Sequence, residues 1–585
     1  MWVASRRAIT LDGVGHLGVG HGDRWSAARP GTTTRRGHRG TGRTGTRMEL
    51  AIRGALVLDG TGAPGTRADV LVRDGRIVDI GPPGRLTACR QLDVDGLVLA
   101  PGFIDMHSHS DLRVLAEPDH LAKVSQGVTL EVLGQDGLSY APVDAEALDA
   151  LRVQLAGWNG DPAGFAWTWR SVGEYLDRLD RGVATNVAYL VPQGTLRMLC
   201  VGHDDRPASP AEIHDMRRLL DTALSEGAVG MSSGLTYPPG MFASTDELVA
   251  LCEVVARHGG YYAPHHRGYG AGALEAYAEV VDIGARAGCA VHLTHATMNF
   301  EVNRGRAGEL LALVDRALAS GLDVSLDTYP YRAGSTSLHA LLPSWAAAGG
   351  VHAIPHLLRD VERRAAVLHA LEVEGSDGCH GVPVDWDTIE INGVADTAAH
   401  GHLVGHTVAA SARGLGRPAG ELYLDVLLAD RLGTTCLMHV GHEDNVREIM
   451  RHPRHTVGSD GILVGARPHP RAWGTFPRLL GRYVREWGVL GLAECVARMT
   501  GRAADRIGLR DRGRIRRGNA ADLVLFDPRT VLDAATFAQP RTPAVGIPWV
   551  LVNGVPVIAD GRRTDALPGR ALRREGALVV ARGGS

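Results

Sequence analysis

Lysine is almost missing from this chain: Lys123 is the only one among 62 lysines and arginines. That leaves a single residue for any lysine-dependent chemistry. Cysteine is sparse as well. The seven cysteines (Cys89, Cys200, Cys252, Cys289, Cys379, Cys436 and Cys495) are scattered, odd in number and form no C-x-x-C pair. Such usage argues against a disulfide framework or a structural zinc knuckle and suits a reducing cytoplasm. No run of about 18 apolar residues occurs, so no membrane span is expected. A formal net charge of -3 over 585 residues supplies no bulk basic surface for nucleic acid. What remains is a small-molecule enzyme, expected in the cytoplasm, long enough for one large domain with additions or for two to three domains.

Residues 1–47 differ from everything after them. They are rich in Gly, Arg and Thr ("RPGTTTRRGHRGTGRTGTR") without hydrophobic periodicity, and disorder is expected. Ser5-Arg6-Arg7 suggests a twin-arginine export signal, but no apolar stretch of about 7 to 15 residues follows it, so export is disfavoured. Met48, opening "MELAIRGALVLDG", reads as the start of the folded protein.

Short alternating strands with turn signals follow, in "ELAIRGALVLDG", "ADVLVRDGRIVDIG" and "RQLDVDGLVLA". The same pattern returns in "ADLVLFD", "PWVLVNGVPVIADGRR" and "GALVVA". Residues 48–99 and 510–585 are therefore expected to pair into one composite β-sandwich. Between them, strands alternate with helical segments such as "AEIHDMRRLLDTALSEGA", the α/β pattern of a parallel sheet. Eight strand ends can be read: "LVLAPGFIDMHSH", "VTLEVLGQDG", "NVAYLVPQG", "AVGMSSGLTY", "GYYAPHHRG", "CAVHLTHA", "LDVSLDTYPY" and "HTVGSDG". Eight is the number of a (β/α)8 TIM barrel, expected over 100–509, with 343–430 as an insertion over its mouth.

In such a barrel the carboxyl ends of the strands share one face, so residues far apart in sequence meet there. His107 and His109 sit two apart on the first strand end and point to the same side. Asp136 follows on the second, His265 on the fifth, His295 on the sixth and Asp460 on the eighth. A lone H-x-H says little in a chain with 26 histidines. Four imidazoles and two carboxylates at one rim say more, because both suit Zn2+ and related divalent ions. Asp460 in "GSDG" also reads as a turn cap. Lys123, in "HLAKVSQG", reads as a solvated helix residue. His266, His292, His439 and His442 are set aside as ligands; for His266 and His292 strand phase or distance favours supporting or capping roles. The "GSTS" run at 334–337 lacks a G-x-S-x-G elbow and reads as a polar pocket loop.

Several longer segments, "APGFIDMHSHSD", "QGVTLEVLGQDGLSYAPV", "GAVGMSSGLTYPPGMFASTDELV", "DTYPYRAGSTSL" and "VREIMRHPRHTVGSDG", resemble the amidohydrolase superfamily and, within it, the N-acyl-D-amino-acid deacylase (D-aminoacylase) family. The resemblance covers almost everything after Met48. It implies a TIM barrel with a composite β-domain, zinc held by His265 and His295 together with the pair His107 and His109, and Asp460 as catalytic aspartate. Asp136 stands where the family usually has cysteine, which leaves open whether one or two ions bind. Thr297 stands where the family often has lysine. The resemblance also disfavours a metal pair bridged by a carboxylated lysine, since no lysine follows position 123.

The activity implied is hydrolysis of a linear amide, most naturally in an N-acyl-D-amino acid, by a metal-activated water with Asp460 as general base and then acid. Tyr237, Arg267, Tyr329, Arg332 and Ser335 lie just past strand ends, where they could bind a substrate carboxylate. The rival readings are a cyclic-amide hydrolase of the dihydroorotase or hydantoinase kind and a barrel that binds without turnover. The partner expected is the small N-acyl substrate, with no nucleic acid or membrane; oligomeric state stays open.

Overall fold

The computed structural model describes residues 49–574. The expectations for 1–47, for Met48 as a start and for a strand in "GALVVA" fall outside those residues.

Eight parallel strands form one sheet in chain order: Phe103–Asp105, Val128–Leu133, Asn186–Pro192, Gly230–Gly234, Tyr261–His265, Ala290–Leu293, Val324–Thr328 and His455–Val457. They are the eight expected, and their residues are buried almost throughout because helices cover the outer face of such a sheet. The first and eighth strands meet to close the barrel, where the Met106 amide donates to the Val457 carbonyl at 3.0 Å and Ser108 bridges Gly461. The intervening helices start on strong signals. At Ser171 and Ser209 the hydroxyl accepts from the amide of the glutamate three residues on, while that glutamate reaches back to the serine amide.

The segment "LVLAPGFIDMHSH" is not one strand. Val98–Pro101 runs antiparallel to Leu523–Phe526 in a second sheet, and the barrel strand begins only at Phe103. Gly102 is the crossing point; a Cβ there would lie 2.2 Å from the Thr129 side chain, so no larger residue fits. The second sheet has nine strands drawn from both chain ends, and it folds around an apolar core that includes Ile52, Val70, Val72, Leu99, Leu523, Leu525 and Leu551.

Between the seventh and eighth barrel strands the chain inserts a body with its own core, Leu338, Ile389, Ile391, Leu424, Leu427 and Cys436 among others. Its four-stranded sheet comprises Gly334–Ser337, Ile389–Gly393, His406–Thr407 and Thr435–Met438. The body thus reaches wider on both sides than the 343–430 read from sequence. The reason is that its first and last strands in the chain, Gly334–Ser337 and Thr435–Met438, pair with each other directly beside the points where the chain leaves and re-enters the barrel.

Candidate metal centre

His107 and His109 project from the end of the first strand with their Nε2 atoms 3.2 Å apart. His265 Nδ1 and His295 Nε2 approach to 3.1 Å. Asp136 lies between the two pairs: its Oδ1 is 3.5 Å from His107 Nε2 and from His295 Nε2, and its Oδ2 is 3.4 Å from His109 Nε2 and from His265 Nδ1. Asp460 closes the set with Oδ1 at 3.2 Å from His109 Nε2. The donor atoms form two groups that share Asp136, one with His107, His109 and Asp460 and one with His265 and His295, each spanning no more than 4.8 Å. All six side chains are buried.

Charge and donor chemistry both fit a cation. Burial pushes His107 down to about 4, whereas for His109 the carboxylates of Asp136 and Asp460 outweigh burial and raise it to about 9. Burial would raise both carboxyls, but Arg471 and the histidines hold Asp460 below the usual carboxylate range, and His107, His265 and His295 do the same for Asp136. Two carboxylates among four crowded imidazoles form a donor set that suits a divalent ion. Asp136 Oδ1 has no hydrogen-bond partner, which leaves a buried carboxylate oxygen open to a ligand.

Surrounding groups orient this set. Thr236 Oγ1 is 2.7 Å from His265 Nε2, and the Tyr269 hydroxyl is 3.2 Å from His295 Nδ1. Asp327, on the seventh strand, accepts from the His295 amide at 2.9 Å and meets His292 Nε2 at 2.8 Å. His292 also meets Ser325, so it supports the ligand loop rather than joining the set. His266 is wedged between the rings of Tyr269 and Tyr277, each 4.0 Å away.

A family model described as "Amidohydrolase family" matches residues 90–558. The chain belongs to this family, on its D-aminoacylase branch. A D-aminoacylase of Alcaligenes xylosoxydans xylosoxydans is 36% identical over 535 residues, which is 91% of this chain and 98% of that relative. The crystal structure of an N-acyl-D-glutamate deacylase from Bordetella bronchiseptica, complexed with zinc and a phosphonate inhibitor, superposes with a TM-score of 0.74 at 36% identity over 90% of this chain and 99% of that one. A D-aminoacylase structure concerned with a binuclear metal centre superposes at 0.75, with 35% identity and the same coverage.

In this amidohydrolase the six residues read as ligands or base converge. The substrate candidates divide. A cavity of about 80 Å3 beside the cluster is lined by Tyr237, Tyr329 and Ser335 among others. Arg267 turns away from it: its Nε is 2.9 Å from Glu279 Oε2 and its fork donates to the Met241 and Ala243 carbonyls. Arg332 is exposed and lines a separate cavity of about 770 Å3. Position past a strand end did not decide either case, because a long flexible side chain follows the nearest carboxylate or the solvent.

Lys123 is corrected as well. It is fully buried, with Nζ 2.7 Å from Asp105 Oδ2 and 3.4 Å from Glu131 Oε2. Sequence reasoning also missed Arg471. Its Nη2 lies 2.9 Å from Asp460 Oδ2, its guanidinium stacks 4.4 Å from the Tyr329 ring centre, and its Nε and Nη1 have no hydrogen-bond partner. Nothing in "RAWGTF" sets this arginine apart from the many others. Trp158, Tyr269 and His380 complete the pocket wall, and His380 comes from the inserted body.

Proposed function

We propose that the protein hydrolyses the linear amide of N-acyl-D-amino acids. The observation that carries the reading is the convergence of His107, His109, Asp136, His265 and His295 on one rim with Asp460 facing them. The names of the D-aminoacylase relatives supply the bond and the stereochemistry. We assign Zn2+, as one or two ions, to the four histidines and Asp136, a donor set of imidazole and carboxylate. When bound, such an ion polarises the scissile carbonyl and brings the pKa of a coordinated water toward about 7.

The remaining work falls to side chains. Asp460, ionised beside Arg471, takes the proton of the attacking water and returns it to the leaving amine. Arg471 holds one carboxylate oxygen and leaves the other toward His109. Thr236 and Tyr269 hold the ring planes of His265 and His295. Trp158, Tyr237 and Tyr329 narrow the pocket and keep bulk water out. The substrate carboxylate is assigned to the Tyr237 and Tyr329 hydroxyls and Ser335, with the two unpartnered nitrogens of Arg471 behind them.

Among the described residues no lysine or arginine lines the small cavity, and Thr297 occupies its wall. A second carboxylate on the substrate would find no cation there, so uncharged amino-acid side chains suit the pocket better than acidic ones. The inserted body supplies Leu341, Gly378, His380 and Met438 to the wall, and we take it as the cover of the barrel mouth. Ring opening through a lysine-bridged metal pair finds no support, since the one lysine is bound to Asp105 and Glu131. Seven free cysteines favour a reducing compartment, hence the cytoplasm, and among the described residues no helix is long and apolar enough to cross a membrane.

The test is a panel of N-acetyl-D and N-acetyl-L amino acids with zinc-reconstituted protein. Turnover of D-Leu or D-Met derivatives at least tenfold above their L forms and above D-Glu is expected. Hydrolysis of cyclic amides alone would sink the reading.

A further inference from the structure

The seam between the first and eighth strands is held by few backbone contacts, because those strands are three residues each. Around it lies a buried network that neither the ligand set nor the pocket uses. Asp105 accepts from the Ser459 amide at 2.7 Å and the His107 amide at 3.3 Å through Oδ1, and from Lys123 Nζ at 2.7 Å and Ser459 Oγ at 2.6 Å through Oδ2. Lys123 Nζ also donates to Ser459 Oγ at 2.9 Å. On its other side Lys123 faces Glu131, whose Oε2 accepts from Ser108 Oγ at 2.8 Å and Ser110 Oγ at 3.0 Å. His120 Nε2, at 2.5 Å, and Thr185 Oγ1, at 3.1 Å, complete the Glu131 carboxylate.

One ammonium therefore joins two carboxylates, and each grips a different strand end. Asp105 grips Ser459, the residue before Asp460. Glu131 grips Ser108 and Ser110, the residues that bracket His109. We propose that Lys123, through Asp105, Ser459 and Glu131, is a positioning residue that fixes where the His107 and His109 pair stands relative to Asp460. The inference rests on the reading that those histidines hold the metal and that Asp460 is the base.

Stability alone does not account for the arrangement. Burying an ammonium and two carboxylates carries a desolvation penalty, and well-packed apolar residues of similar volume commonly do as well. What an ion network adds is a fixed geometry, and this one spans the barrel seam. The shape of the group matters too. An ammonium offers three donors around a point, whereas a guanidinium is a wide planar fork. Here the donors meet three acceptors in a space where a Cβ on Gly461 would already lie 3.1 Å from Nζ. A chain that otherwise uses arginine for its cations keeps lysine at this position.

Two variants test the proposal in metal-loaded protein. Ser459→Ala removes the hydroxyl between Lys123 and Asp105 without stranding a charge; Lys123→Met removes the ammonium. Arg512→Met, which breaks the buried pair with Asp522 at the opposite ends of the strands, serves as the destabilised control. Ser459→Ala should lower kcat by about tenfold, with KM changed less than about threefold, and should shift the d–d absorption of the Co2+-substituted protein; Lys123→Met should cost about 100-fold. Arg512→Met should lower Tm yet leave kcat and the Co2+ spectrum unchanged. Lys123→Arg should not restore activity. If Lys123→Met does not fold, Ser459→Ala decides. Wild-type kcat and spectrum in Ser459→Ala, or an equal loss in Arg512→Met, would overturn the positioning role. A wild-type protein inactive on every N-acyl amino acid would instead defeat the functional reading, and the Co2+ spectra would still decide the positioning.

Discussion

Asp136, His295 and Asp460 all hold positive φ angles, +55°, +32° and +48°. Side-chain-bearing residues rarely adopt them, and such strain gathers where a group must be aimed rather than merely packed. Asp74 and Asp560 hold nearly the same angle in ordinary turns, so what separates Asp460 from a turn cap is its reach, with Oδ1 3.2 Å from His109 Nε2 and Oδ2 2.9 Å from Arg471 Nη2. Asp460→Asn should keep its metal and lose turnover by about 100-fold or more, measured as kcat with metal content in parallel. Asp136→Ala should lose metal, since both donor groups share that carboxylate; unchanged stoichiometry would remove it from the ligand set. Arg471 yields a prediction with a sign. Its guanidinium lowers the pKa of Asp460, so Arg471→Met lets that pKa rise, and the acid limb of the kcat/KM profile should move to higher pH. At this scale the candidate cluster was legible because four imidazoles and two carboxylates fall at strand ends that a barrel brings to one rim. Arg471 and Tyr269 were hidden because their roles depend on the neighbour they reach.

The eight barrel strands were legible as elements because each joins an apolar run to a Gly- or His-bearing turn, and a parallel sheet buries such runs on both faces. Two element-level readings needed the structure. Val98–Pro101 and Phe103–Asp105 look like one strand in sequence, yet belong to two sheets divided at Gly102. The helix Leu121–Val124 is a single turn, too short for periodicity to tell which face is buried, and so Lys123 read as solvated. The loop after the eighth strand carries a comparable constraint. A Cβ on Gly458 would lie 2.6 Å from His107 Cβ and 2.7 Å from Asp327 Oδ1. Gly458→Ala should therefore displace both neighbours and reduce metal retention after dialysis, while circular dichroism stays that of a folded barrel. Full retention would show that the loop has slack.

For the whole molecule, the pairing of the two chain ends into one sheet was foreseeable from matching strand patterns, and the closed barrel from the count of eight. The inserted body was foreseeable only as excess length. Its core and its contribution to the pocket come from contacts far apart in sequence, and no local signal reports them. The barrel sets six side chains from five strand ends around one point, the inserted body supplies part of the pocket wall, and a buried hydrogen bond links Asp105 of the first strand to Ser459 beyond the eighth. The account predicts that catalysis belongs to this assembled site with its ion. The most direct test is to strip the protein with a chelator and titrate Zn2+ back while following hydrolysis of an N-acetyl-D-amino acid. Turnover should vanish on stripping and return within the first one or two equivalents per chain. Turnover that survives complete removal of metal, or a stripped protein that binds none, would contradict it.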